Sequence, residues 1–65
     1  MKYLVRAGVF EAEVRTVGEA IWLATMHVYM TQREREAAEE ALTGGKPFRY
    51  AYGFVDAEIV PVGDP

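Results

Sequence analysis

The chain has 65 residues, a net charge of −3 and no cysteine, so it has the length of one domain and no disulfide or thiolate metal site to brace it. A chain this short buries only about 60% of the surface its unfolded form exposes, which leaves association as the remaining route to more burial. The acidic balance argues against binding a phosphate backbone, whose affinity comes from clustered Lys and Arg.

Residues 2–7 (KYLVRA) alternate, with Tyr3, Val5 and Ala7 on one side and Lys2, Leu4 and Arg6 on the other. Residues 10–16 (FEAEVRT) repeat the pattern: Phe10, Ala12 and Val14 oppose Glu11, Glu13 and Arg15. A period of two belongs to half-buried strands. Gly8-Val9 between them is short enough for a tight turn, and glycine supplies the positive φ such a turn needs. The expectation is a β-hairpin whose outer face carries the charges.

A helix should start near Thr16–Gly18, where Thr16 and Glu19 have capping-box spacing. Val17, Ala20, Ile21, Ala24 and Val28 then form one apolar stripe, which Ala38 and Leu42 continue if the helix is unbroken. Thr43-Gly44-Gly45 should end it. A single helix over 17–42 would be about 39 Å long, against about 23 Å for a seven-residue strand, so its charged half should overhang the sheet. A rival reading breaks the helix at Thr31, which forms a second capping box with Glu34, and makes 26–30 (MHVYM) a short strand. The unbroken helix is preferred because no glycine, proline or polar cluster separates Thr25 from Gln32.

Beyond Gly44-Gly45-Lys46-Pro47 the period returns to two, with Phe48, Tyr50, Tyr52 and Phe54 on one face. Near Phe54-Val55 the phase slips, as a bulge or a bend at Gly53 would make it. Pro61, Gly63 and Pro65 punctuate residues 61–65, expected as a loose tail. The fold class expected is α+β: a small two-layer ββαββ domain over residues 1–65, with one long helix on an antiparallel sheet.

On a helical wheel, Trp22, Met26 and Tyr29 lie opposite the inner stripe, with Leu23 and Met30 widening their edge and Arg33 continuing their side. A single sheet covers one side of a helix, and so short a chain has nothing to cover the other. Aromatics and methionine are enriched in interface cores, so this second stripe is expected to be a docking surface, self-association included. The alternative is that a curved sheet, with the aromatic strand curling round the helix, buries both stripes. In the polar half, Arg35 and Glu39 have the spacing of an ion pair, whereas Glu36 and Glu40 repel.

Catalytic and metal chemistry find little footing. The paired carboxylates Glu11 and Glu13, Glu36 and Glu40, and Asp56 and Glu58 sit on solvent-facing positions, without the cleft that pushes two pKa values apart. The only histidine, His27, has neither serine nor cysteine to activate, and alone it makes a protein-only zinc site improbable. Gly44-Gly45-Lys46 lacks the rest of a phosphate-loop pattern and follows a helix instead of preceding one. The aromatic row 48–54 resembles a base-stacking strand platform, and nucleic-acid binding through it is the alternative function, although of the basic residues only Arg49 interleaves with it.

YLVRAGVFEAEVRTVGEAIWLA, with FVDAEIVPV near the end, resembles small phage-encoded accessory proteins built as a hairpin, a helix and one or two closing strands. The resemblance covers about half the chain and rests on alternation and the xEA helix opening. It implies a protein that binds a host enzyme, inhibiting it or holding it in one state, and carries over no individual functional residue. The apolar middle of the helix departs from the usual amphipathic version. The expectation is therefore a non-catalytic protein–protein interaction module without cofactor, metal or small-molecule substrate. It should be a homodimer joined through Trp22, Leu23, Met26, Tyr29, Met30 and Arg33, with a further protein as its other partner. Cysteine-free composition, no signal peptide at MKYLVRAG and an apolar run too short to span a bilayer point to the cytoplasm.

Overall fold

The computed structural model describes residues 1–63, and positions 64 and 65 of the expected tail lie outside the described residues. Four strands and two helices follow in the order β1 (Lys2–Ala7), β2 (Phe10–Val14), α1 (Val17–His27), α2 (Gln32–Thr43), β3 (Phe48–Tyr52) and β4 (Val55–Val62). The strands form one antiparallel sheet in the order β2-β1-β4-β3. The class is α+β as expected, but the helical segment is two helices, not one.

Both hairpins close through two-residue turns. Gly8 and Gly53 have φ of 63° and 66°, and among the described residues no non-glycine residue has positive φ, so each turn is of the II′ kind with glycine first. The phase slip after Tyr52 is thus neither a bulge nor a bend within one strand: Tyr52 pairs with Val55, and the chain reverses across Gly53-Phe54. The two hairpins lie side by side through the β1–β4 ladder, where Gly8 N–H donates to the Asp56 carbonyl at 3.2 Å. β4 also runs into the expected loose tail: residues 61 and 62 are strand, with Tyr3 facing Pro61 and Lys2 facing Val62. β3 begins opposite Ile59, so beyond that point β4 has an open side that can accommodate a residue without an N–H.

One face of the sheet holds Tyr3, Val5, Ala7, Tyr50, Ala57 and Ile59, all buried beneath the helices. The other carries a row of charges across all four strands. Arg6 Nε donates to Glu11 at 2.8 Å and its Nη1 to Glu58 at 3.4 Å, while Arg49 Nε donates to Glu58 at 2.8 Å. Each is a directly opposed cross-strand pair, so the outer face alternates in sign from edge to edge.

The break between the helices corrects the expected unbroken helix over 17–42, and burial explains it. Val28 and Met30 are both buried, yet two positions apart on a helix they would point about 200° from one another. Extended backbone at Val28 (φ −136°, ψ 117°) resolves the conflict. It also lets α2 fold back, so that Ala38 and Leu42 reach the sheet instead of overhanging it. The capping box at Thr31 and Glu34 forms in full, the Thr31 hydroxyl accepting from Glu34 N–H at 3.2 Å and the Glu34 carboxylate accepting from Thr31 N–H at 3.0 Å. The rival reading is therefore correct about the break and the cap, while residues 28–30 form an extended link and no strand. α2 ends as the glycines imply. Gly45 (φ 79°) and Lys46 donate their N–H groups to the carbonyls of Leu42 and Ala41, a Schellman closure.

Candidate interaction face on the helix layer

α1 carries two apolar faces. Ala20, Ile21 and Ala24 are buried against the sheet. On the opposite side Trp22 is 65% exposed and Met26 62%, and Tyr29, just past the helix, is 56% exposed. Cα extents of 35 × 24 × 15 Å leave room along the thin axis for one sheet and one helix layer, so nothing of the described chain lies over this side. Exposed apolar side chains placed singly are ordinary. Trp22 and Met26, at i and i+4 on α1, form a pair of the kind that marks binding sites, while Tyr29 leaves the helical spacing at the extended Val28 and packs edge-on against Tyr52.

The expected interface residues do not all share this fate. Leu23 is half-buried, packed against the core cluster, and Arg33 is exposed. Met30 is a correction: it is completely buried, because the extended link turns its side chain inward where a continuous helix would have left it at the edge of the outer stripe.

The end of α1 is held by three ring contacts. The Tyr50 hydroxyl reaches up from β3 to the carbonyl of the C-cap residue Val28 at 2.6 Å and lies 3.0 Å from that of Ala24, which also accepts the Val28 N–H at 2.8 Å. The C-cap carbonyl is one that a helix C-terminus leaves without an intrahelical donor, so a buried phenol satisfies the end of α1 from the sheet side. Burial, and secondarily the negative charge of Glu34, pushes the Tyr50 phenol up from 10 to about 12, since neither its site nor its two acceptors favour a phenolate. His27 stacks on Phe10 with ring centroids 3.9 Å apart, and Tyr29 meets Tyr52 edge-on at 5.4 Å. The loop between the helices is thereby tied to β2 on one side and to β3 on the other. His27 is a packing residue here.

Alongside the stripe, α1 and α2 enclose an open groove of about 590 Å³. Gly18, Ile21, Trp22 and Thr25 form its α1 wall, and Gln32, Arg35, Glu36 and Glu39 form its α2 wall. No atom lies within 4 Å of where a Cβ on Gly18 would stand, so this part of the wall is open. The ion pair expected between Arg35 and Glu39 is not formed, and among the described residues Arg35, Glu36 and Glu39 have no salt-bridge partner.

Sequence reasoning missed two features. The groove exists only because α2 folds back. Val9 and Phe54, fully exposed at the two adjoining hairpin turns, were also passed over, although an apolar residue after the turn glycine was visible where polar residues are the rule. The aromatic row is divided: Tyr50 is buried, Phe48 is half-buried against the core, and Tyr52 and Phe54 are exposed, so its rings do not form one platform open to solvent. Among the described residues no group of three or more His, Asp or Glu side chains could hold a metal ion, and no helix is long and apolar enough to cross a membrane.

Comparison of the chain with family models, curated proteins and solved structures gave no match. The functional reading rests on the residues themselves.

Proposed function

We propose that this protein is a non-catalytic interaction module that self-associates through the outer face of α1. The observation carrying this reading is the exposure of Trp22 and Met26 on the outer face of α1, a layer with nothing of the described chain above it, with Tyr29 also exposed just beyond the helix. Removing a large apolar side chain from water contributes roughly 1.5–3 kcal/mol, and Trp22 and Met26 gain little of that in the single chain. A second copy supplies the missing cover and adds burial to a domain too small to hold much core of its own. The dimer would hold or block another macromolecule, as the resemblance to phage accessory proteins that bind host enzymes implies. The hairpin tips at Val9 and Phe54 lie outside the helix face and stay available for it. A cysteine-free chain suits the reducing cytoplasm.

Light scattering coupled to gel filtration tests this. The expected mass is twice the 7.3 kDa of the chain. Changing both Trp22 and Tyr29 to serine should return it to the single-chain mass without altering the far-UV circular dichroism. A wild-type protein of single-chain mass up to millimolar concentration would remove the proposal.

A further inference from the structure

Self-association through α1 leaves the other partner unassigned, and the sheet offers it a place that does not depend on the helices. β2 is an edge strand, and among the described elements only β1 and α1 touch it. The ladder fixes which of its backbone groups are free. Ala7 and Phe10 close the first hairpin as a hydrogen-bonded pair, and the next N–H, that of Gly8, is directed to β4. Bonded and non-bonded pairs alternate along an antiparallel ladder. Phe10, Ala12 and Val14 therefore bond β1, while the N–H and C=O groups of Glu11 and Glu13 point away from the sheet. The side chains of these two residues lie on the outer face. No proline, lysine or bulge closes this edge.

We propose that β2 takes up an extended basic segment of another protein as an added antiparallel strand, with Lys or Arg side chains opposite Glu11 and Glu13. Charge complementarity carries the choice of occupant. The outer row runs Glu11, Arg6, Glu58, Arg49 and so ends in an acid at β2, where a cation beyond Glu11 continues the alternation. Glu13 faces Leu4 and has no salt-bridge partner among the described residues, so a second cation two positions along meets a free carboxylate. On the inner side Phe10, Ala12 and Val14 are half-buried, whereas Ala7, Val5 and Tyr3 opposite them are buried. Apolar residues between the cations would complete that cover. The edges of a second copy fit less well. Its β2 would set glutamate opposite glutamate, and its β3 brings a single cation, Arg49, which Glu58 already holds at 2.8 Å.

The experiment adds a synthetic peptide of alternating lysine and valine to the full chain and follows amide hydrogen exchange by NMR. At saturation the amides of Glu11 and Glu13 should gain at least tenfold protection, and those of Arg49 and Ala51, the corresponding free groups on β3, should not change. N-methylation of the peptide's lysines, whose N–H groups face β2, should abolish binding, while N-methylation of its valines should not. A glutamate–valine peptide should not bind. Glu13→Lys, at an exposed position, should weaken the lysine peptide at least tenfold and keep the wild-type circular dichroism. The variant with Trp22→Ser and Tyr29→Ser should bind as wild type does, so this inference is tested apart from self-association through α1. No binding, protection on β3 instead, or lysine N-methylation no more damaging than valine N-methylation would overturn it. So would protection of Glu11 and Glu13 that grows with protein concentration without peptide, which would make a second copy the occupant.

Discussion

α1 and α2 are nearly the same length, 11 and 12 residues, and lie on the same sheet, yet they treat solvent differently. Each buries a narrow inner face, Ala20, Ile21 and Ala24 on the first and Ala38 and Leu42 on the second. Outward, α2 presents Arg33, Arg35, Glu36, Glu39 and Glu40, the ordinary polar back of a surface helix. α1 presents Trp22 and Met26, with Glu19 the one charge among them. Since α2 shows that this layer folds with a charged back, the apolar back of α1 is not a requirement of the fold. On the proposed function, it belongs to what the domain meets.

That contrast separates residues that hold the monomer from residues that do not, and substitutions should sort accordingly at concentrations low enough to keep the protein monomeric. The largest effect is expected from Leu42→Ala, which empties a fully buried site on the inner face of α2. Such truncations cost about 2–5 kcal/mol, as much as a domain this small has in total. Urea melts should find the variant largely unfolded in buffer.

Next comes the link that joins the helices. Tyr50→Phe leaves the carbonyl of Val28 without its buried donor and should cost about 1–3 kcal/mol. The same phenol makes stability depend on alkaline pH. Its folded pKa, about 12, lies above the unfolded value of 10, so its contribution is complete below pH 10 and is lost as pH rises through 12. Stability measured between pH 9 and 12 should fall in wild type, and Tyr50→Phe should lack that part of the fall. Thr31→Ala, which removes the capping box of α2, should cost about 1 kcal/mol, again read by urea unfolding.

Smallest on monomer stability is Met26→Ala on the outer face of α1, expected within about 0.5 kcal/mol because the side chain is already in water. Its effect should appear in the dimer dissociation constant instead. A loss of several kcal/mol from the isolated chain would mean that the outer stripe is core, and the contrast between the helices would fail.

The first hairpin, the caps at Thr16 and Thr31 and the closing glycines of α2 were legible because each depends on neighbours within a few residues, whereas the reversal at Gly53-Phe54 reads in the sequence as a bulge or a bend. Alternation placed Tyr3, Val5 and Ala7 on the buried face. The helix break was not settled by local pattern. Its only local sign is the Thr31–Glu34 box, which competes with an unbroken apolar run, and the decision comes from the burial of both Val28 and Met30 against elements distant in the chain, among them Tyr50, 22 residues from Val28. For the same reason Met30 could not be placed: whether it faces solvent or sheet depends on the link conformation. The outward direction of Trp22 and Met26 followed from the wheel alone, as α1 is helical through His27 under either reading. The groove was invisible, since it needs the second helix folded back against the first.

Trp22 is the sole tryptophan of the chain and sits at the centre of the proposed contact, so intrinsic fluorescence reports the decisive event without a label. Emission recorded from nanomolar to millimolar protein should begin at the wavelength of a solvated indole and shift to the blue along a binding curve as the second copy covers the ring. An emission maximum that stays at the solvated position across that range, in a chain still folded by circular dichroism, would contradict the account.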